Sequence, residues 1–207
     1  YSIVSVESSA GAGGTISITA DNLLLHRGQT PWLGGPGTNY SLATLAAFGT
    51  TQGGNVNIDA TNFSMVDLGN VAPADVNLDD VYRPTISVDG FAGNGGNINI
   101  NTTSFSLTPW QYFGATGTGV GGSIKINADS INLEGGLVAT GGTSGGSVET
   151  TATSSLFAQA TAYIKARTWS VHAPQVAIVA ASGATPGSGA VLTDAALSAS
   201  LESGTDI

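Results

Sequence analysis

The sequence predicts an all-β fold, a β-solenoid with three short strands per coil, Gly-rich corners and irregular loop excursions. Three observations carry that prediction. The chain repeats itself from successive Gly-Gly pairs, reading GGTISITADNLLL from Gly13, GGNVNIDATNFSM from Gly53, GGNININTTSFSL from Gly95, GGSIKINADSINL from Gly121 and GGSVETTATSSLF from Gly145. Apolar residues within each copy are spaced by two, which is strand periodicity. The composition favours tight corners over a charged surface: 30 of 207 residues are Gly and 9% are charged, against about 25% charged in an ordinary domain.

Each part of the repeat has its reason. A β-branched residue stands two positions after the second glycine (Ile16, Val56, Ile98, Ile124, Val148), and Ile follows two later (Ile18, Ile58, Ile100, Ile126), with Thr150 breaking the series. A small residue comes next (Ala20, Ala60, Thr102, Ala128, Ala152), then a second apolar pair: Leu23 and Leu25, Phe63 and Met65, Phe105 and Leu107, Ile131 and Leu133. In the fifth copy the pair fades to Ser155 and Phe157, and a sixth, more decayed copy starts at Ser188-Gly189. The step of three before the second pair shifts the alternation by one residue, as a corner between two strands does. The runs ahead of the glycines, VSVESSAGAGG, ISVDGFAGNGG, LVATGGTSGG and IVAASGATPGSG, supply the third strand. Glycine suits the corner because it takes positive φ and lets consecutive coils approach closely. Stacked coils would set Ile on Ile and Asn on Asn, with an amide ladder expected from Asn55, Asn97 and Asn99.

The spacings from Gly95 to Gly121 and from Gly121 to Gly145 each fit one coil. The longer ones leave a surplus that is expected to emerge as loops, near 29–50, 66–94 and 108–120. These excursions hold Trp32 and Tyr40, the stretch Pro73 to Pro84, and the aromatic strip with Trp110 and Tyr112. If they emerge on one side, they form a variable binding face. Residues 155–171 are rich in alanine, so a helix competes there. Period two fits better, with Leu156, Ala158, Ala160, Ala162, Ile164 and Ala166 on one face. The whole of 1–207 reads as one domain whose C-terminal part, 155–207, is the more degenerate.

The net charge of −9, with cations only at Arg27, Arg83, Lys125, Lys165 and Arg167, leaves too little positive charge to neutralise a run of phosphates, so nucleic acid is not expected as a partner. No stretch reaches the roughly 18 apolar residues that a membrane span needs, and no membrane insertion is expected. With no cysteine, disulfides and thiolate metal sites are excluded.

Three groups of residues are candidates for function. Tyr163, Lys165, Arg167 and Trp169 alternate along one strand face, where aromatic planes would stack on sugar rings and cations would attract acidic glycans. The same aromatics also read as packing under a loop. Asp75, Asp79 and Asp80, beside Tyr82 and Arg83, form the densest acidic cluster, which reads as a calcium or glycan site on an excursion loop or as a solvated loop with one local ion pair, its spacing not matching a regular calcium loop. No other cofactor is indicated. His26 and His172 lie near no recognised nucleophile motif, so hydrolase chemistry by serine is not expected. A polysaccharide lyase or glycosidase on a β-helix stays open as an alternative reading, as does a carbohydrate-binding module; the expectation is a noncatalytic protein.

The GG-x-I-x-I-x-A-x-x-L-x-L pattern resembles the β-helical repeats of filamentous-haemagglutinin-like exoproteins, secreted adhesins of bacterial two-partner secretion, above all the cyanobacterial type. The resemblance covers residues 1 to 157 clearly. It implies a right-handed parallel β-helix on the cell surface or in the extracellular space, with no catalytic residues to carry over. The Asn-Pro motifs of that family's secretion domain are absent from this sequence.

The third group lies at the ends. Joining Ile207 to Tyr1 gives LESGTDIYSIVSVESSAGAGG, which continues the repeat without a break. The sequence therefore reads as a segment of a longer solenoid or as a subunit stacking head to tail, with Tyr1, Ile3, Val4, Val6, Leu197, Leu201 and Ile207 at the junction and no polar cap at either end. The function expected is an extracellular shaft, filament or adhesin surface whose partners are further copies of itself, glycans or a host or cell surface.

Overall fold

A computed structural model describes residues 2–31, 38–41, 43–67, 86–109, 111–182 and 188–207. Fifteen strands and one helix occupy them: β1 (Ser2–Ser8), β2 (Thr15–Pro31), β3 (Thr38–Ser41), β4 (Ala43–Gly49), β5 (Asn55–Asp67), β6 (Ile86–Ser87), β7 (Asn97–Leu107), β8 (Tyr112–Gly114), β9 (Ser123–Leu133), β10 (Gly136–Val138), β11 (Ser147–Ala158), β12 (Tyr163–Lys165), β13 (Thr168–His172), β14 (Val176–Val179), β15 (Gly189–Thr193) and α1 (Asp194–Glu202). The chain is all-β with parallel sheets. Six strands form one sheet in the order β1-β4-β6-β8-β10-β12, and the other runs β14-β15-β11-β9-β7-β5-β2-β3, with β13 also on β11. Up to β12 the chain alternates between the two sheets, adding one strand to each per repeat, apart from the short antiparallel hairpin of β2 with β3.

Register makes the core. In the larger sheet Ile16, Val56, Ile98, Ile124 and Val148 form one column, and Leu23, Phe63, Phe105, Ile131 and Leu156 another. In the smaller sheet Leu45, Ile86, Phe113, Leu137 and Ile164 stand in line. The Phe63 and Phe105 rings stack at 5.2 Å, and Phe113 meets both edge-on from the opposite sheet at 6.0 and 5.9 Å. Both sheets thus share one core. Each such side chain contributes about 1.5–3 kcal/mol on full burial.

Several expectations are corrected. The long strands β5, β7 and β9 run through the expected corner as single elements, and only one residue per strand, such as Thr61 or Thr103, drops out of the pairing there. In the fifth repeat an extra residue lies between Ala152 and Ser155, so the second inward pair is Leu156 and Ala158, aligned with Ile131 and Leu133. A bulge of this kind shifts every later side chain by one position, which is why fixed offsets from Gly145 land on Ser155 and Phe157. Gly189 is not the start of a sixth copy: it pairs with Ser155, halfway along the repeat. The expected excursions are also shorter, since 29–50 contains β4, 66–94 contains β6 and 108–120 contains β8, all in register with their neighbours. Residues 68–85, Trp32 and Trp110 lie outside the described residues.

The corner glycines do not need positive φ, which among the described residues occurs at Gly189 and Gly204. They need closeness. A Cβ on Gly53 would lie 1.9 Å from the Val88 carbonyl oxygen and one on Gly96 2.0 Å from that of Gly54. That proximity lets Gly13, Gly53, Gly95 and Gly121 each donate a backbone N–H to the following repeat, at 2.8–2.9 Å.

Candidate functional site

Outward-facing residues of the larger sheet form polar rows. Asn97 donates through Nδ2 to Asn55 Oδ1 (2.9 Å) and accepts from Ser123 Oγ (2.7 Å). Asn99 donates to Asn57 (2.9 Å), so the expected amide ladder occupies two rows. In a third row Asn127 donates to Asn101 (3.0 Å) and Asn101 to Asp59 (2.9 Å). An ionised carboxylate can only accept. Asp59 therefore fixes the direction of that row, with every amide N–H pointing towards the preceding repeat. Beside the row runs an open groove of about 690 Å³ lined by Thr19, Asp21, Asp59, Thr61, Asn101 and Thr103. It offers hydroxyls, amides and two carboxylates, the donor and acceptor set that a hydroxyl-rich ligand would need. Further along the sheet Lys125 and Glu149 pair at 2.9 Å on adjacent strands.

The predicted glycan stripe does not share one face. Lys165 and Arg167 are exposed, Tyr163 is half-buried and Trp169 is buried. The chain bends between β12 and β13, which breaks the alternation and turns Trp169 inward into the column of Val148. There its Nε1 donates to Thr150 Oγ1 at 3.0 Å. The two departures from the repeat, Thr150 and Trp169, answer each other: a buried indole N–H needs an acceptor, and Thr in the Ile column supplies it. The Tyr163 ring lies over Gly136, where a Cβ would come within 2.3 Å of it. Burial, with the nearby Asp89 carboxylate and Tyr163, pushes the Tyr112 hydroxyl up to about 12. Asp89 itself accepts from the backbone N and Oγ1 of Thr116, at 2.8 and 2.6 Å, and from Ser87 Oγ.

Asp75, Asp79 and Asp80 lie outside the described residues, as does Tyr1. Among the described residues no three His, Asp or Glu side chains gather as a metal site would require, and no helix is long and apolar enough to cross a membrane.

The ends differ from each other. At the N-terminal end Val4 and Val6 align with buried Leu45 and Ala47, yet are 54% and 37% exposed because no described strand covers them. The side chain of Ile3 lies outside the described residues. At the other end the expectation of an uncapped edge fails. Helix α1 starts at Thr193, whose Oγ1 accepts from Ala196 N, and buries Ala196 and Ser200. Ser200 Oγ accepts from Ile164 N and Thr205 Oγ1 from Ala166 N, each at 3.1 Å, while Ser203 and Thr205 hydroxyls donate to Ile164 O. Asp206 also exchanges backbone hydrogen bonds with Arg167 and Trp169. The edge of β12 is thus closed by hydroxyls, with Leu197 packed against the core and Leu201 and Ile207 exposed. The signal was present in the sequence: Thr193-Asp194 before Ala-Ala-Leu is a helix start.

Nine large apolar residues are exposed among the described residues: Phe91 and Val120 at the glycine corners, and Val4, Val6, Leu24, Val176, Ile178, Leu201 and Ile207 on the first or last turns of the chain. No family model, curated protein or solved structure matches the chain.

Proposed function

We propose that the chain is a parallel β-solenoid serving as a noncatalytic extracellular shaft or adhesive surface, in line with its resemblance to haemagglutinin-like exoproteins. The observation that carries the reading is the alignment of the side-chain columns from β2 to β11, held through β9 and recovered after the bulge in β11, with the same rank of residues filling the same place. Such a column holds shape along one axis, each repeat being stabilised by its two neighbours. Its flanks of Ser, Thr and Asn offer neutral hydrogen-bonding contacts to a glycan or a cell surface. Immunogold electron microscopy of expressing cells, with antibody raised against this chain, tests the reading. Label on the outer surface or in the surrounding matrix supports it, and label confined to the cell interior overturns it.

A carbohydrate-binding module is the second reading, favoured by the groove along Asp21, Asp59 and Asn101. Affinity electrophoresis in gels containing neutral or acidic polysaccharide tests it: retardation lost in Asp59→Ala supports the module, and migration unaffected by every polysaccharide overturns it.

A further inference from the structure

Strand β14 is an anomaly. It leaves the smaller sheet to other elements and instead pairs in parallel with β15, placing Val176 beside Ala190 and Ile178 beside Leu192. Through β15 and β11 these positions continue two core columns, the one that begins at Leu23 and the one that begins at Leu25. Val176 and Ile178 are therefore core-rank residues, yet they are 56% and 67% exposed. At the other end of the same columns β2 has no described strand along the outer edge of residues 22–27; there Leu23 is half-buried and Leu25 buried, while Leu24 faces the solvent side of the sheet in the row of Ser64 and Ser106.

The backbone groups on these two edges match. Ala190 N donates to Gln175 O, so in β14 residues 175, 177 and 179 face β15 while Val176 and Ile178 present their N–H and C=O outward. Within the sheet Glu134 N donates to Leu107 O and Gln159 N to Leu133 O. Carried along the register to β2, that alternation turns the N–H and C=O of Leu24 outward. We propose that the outer edge of β14 takes the outer edge of β2 of a second copy of this chain, in parallel and in register. Leu24 N–H then donates to Val176 C=O, Ile178 N–H donates to Leu24 C=O, and the exposed Val176 and Ile178 are themselves covered, continuing the columns of Leu23 and Leu25 of the copy.

The second copy is the occupant because β2 supplies outward N–H and C=O groups and an apolar spacing that match those of β14 when the two run parallel and in register, as β14, β15 and β11 already do with one another. The contact is heterologous, since the two surfaces differ, and such contacts propagate as open chains unless the rotation from copy to copy closes a ring. Helix α1 confines the ladder to the larger sheet, because it closes β12 and leaves no strand edge there for β1 of the copy. This inference rests on the reading of the chain as a solenoid shaft.

The test uses Leu24→Pro and Ile178→Pro. Each removes one outward N–H and no N–H of the internal ladder, which is where a sheet tolerates proline. Sedimentation velocity across a concentration series, with circular dichroism and melting to show that both variants fold, should find open-ended oligomers for the unaltered chain and monomers for each variant alone. An equimolar mixture of the variants should give discrete heterodimers, since each keeps one intact edge. If either proline variant fails to fold, His26→Pro, which removes the next outward N–H of β2, replaces the first, and Ile178→Lys, which sets a charge in the column the copy would bury, replaces the second in the same mixing experiment. An unaltered chain that stays monomeric overturns the proposal. So does a Leu24 variant that still dimerises by itself, which would mean β14 pairs with β14 across a two-fold axis. Surface label together with monomers would discard the docking and keep the shaft, whereas oligomers with label confined to the cell interior would do the reverse.

Discussion

The middle repeats and the last one use the same positions under different rules. Between β5 and β9 each inward side chain packs on an apolar or small residue of the same rank in the next strand, and several outward amides bond to the polar side chain of the neighbouring strand. From β12 onward the described residues hold no further full repeat, and they cover the edge by other means: a helix, three hydroxyls, and an indole where an Ile stood. Repetition satisfies a strand edge only where there is another strand. At the end the backbone groups still need partners, and side chains of Ser and Thr provide them.

The comparison is broken most severely in the middle. Gly96→Val would force a side chain against the backbone of Gly54 and Gly53, neither of which has anywhere to go. We expect a loss above about 4 kcal/mol, the range reserved for overpacking with no relief, read as failure to show a cooperative melt. Phe105→Ala removes a ring stacked on Phe63 and met by Phe113. About 3–5 kcal/mol is expected from denaturant titration.

At the end the effects are smaller and of another kind. Thr150→Val leaves the Trp169 indole N–H buried without its acceptor, and Ser200→Ala does the same to Ile164 N. Each should cost about 1–3 kcal/mol. Hydrogen exchange would show whether the Ser200 loss stays local, raising exchange in β12 while β7 remains protected. Equal deprotection of both strands would erase the distinction between end and middle.

Tyr112 gives the contrast a pH dependence. Its pKa rises from 10 in the unfolded chain to about 12 in the folded one, so folding favours the neutral phenol. That contribution is whole below pH 10 and is lost as pH climbs from 10 to about 12. Denaturation midpoints at pH 9 and above 11 should fall further for the unaltered chain than for Tyr112→Phe, and equal falls would refute the assignment. Smallest of all is Lys125→Ala. Its partner Glu149 sits on a solvated face, so under 1 kcal/mol is expected, and less still in high salt.

Some errors of the sequence reading share one physical cause. The inward residues of the first four repeats were legible because their spacing is regular and each copy supports the others. The faces of Phe157 and Trp169 were not, because a bulge after Ala152 and a bend before Thr168 each displace the alternation, and no spacing rule counts residues across an irregularity it cannot see. The groove of Asp21 and Asp59 was also out of reach. It exists only because positions 40 residues apart are brought side by side.

By itself the sequence determined the β class, the repeat, the apolar columns and the polar rows, since all of these follow from residue type at fixed local spacing. Only the tertiary structure decided which sheet each strand joins, where the register slips, that Thr150 answers Trp169, and that a helix closes one edge while β14 leaves another open. Those are matters of which distant backbone groups meet, and the free energy of an unpaired buried N–H is settled by whatever neighbour the fold delivers to it.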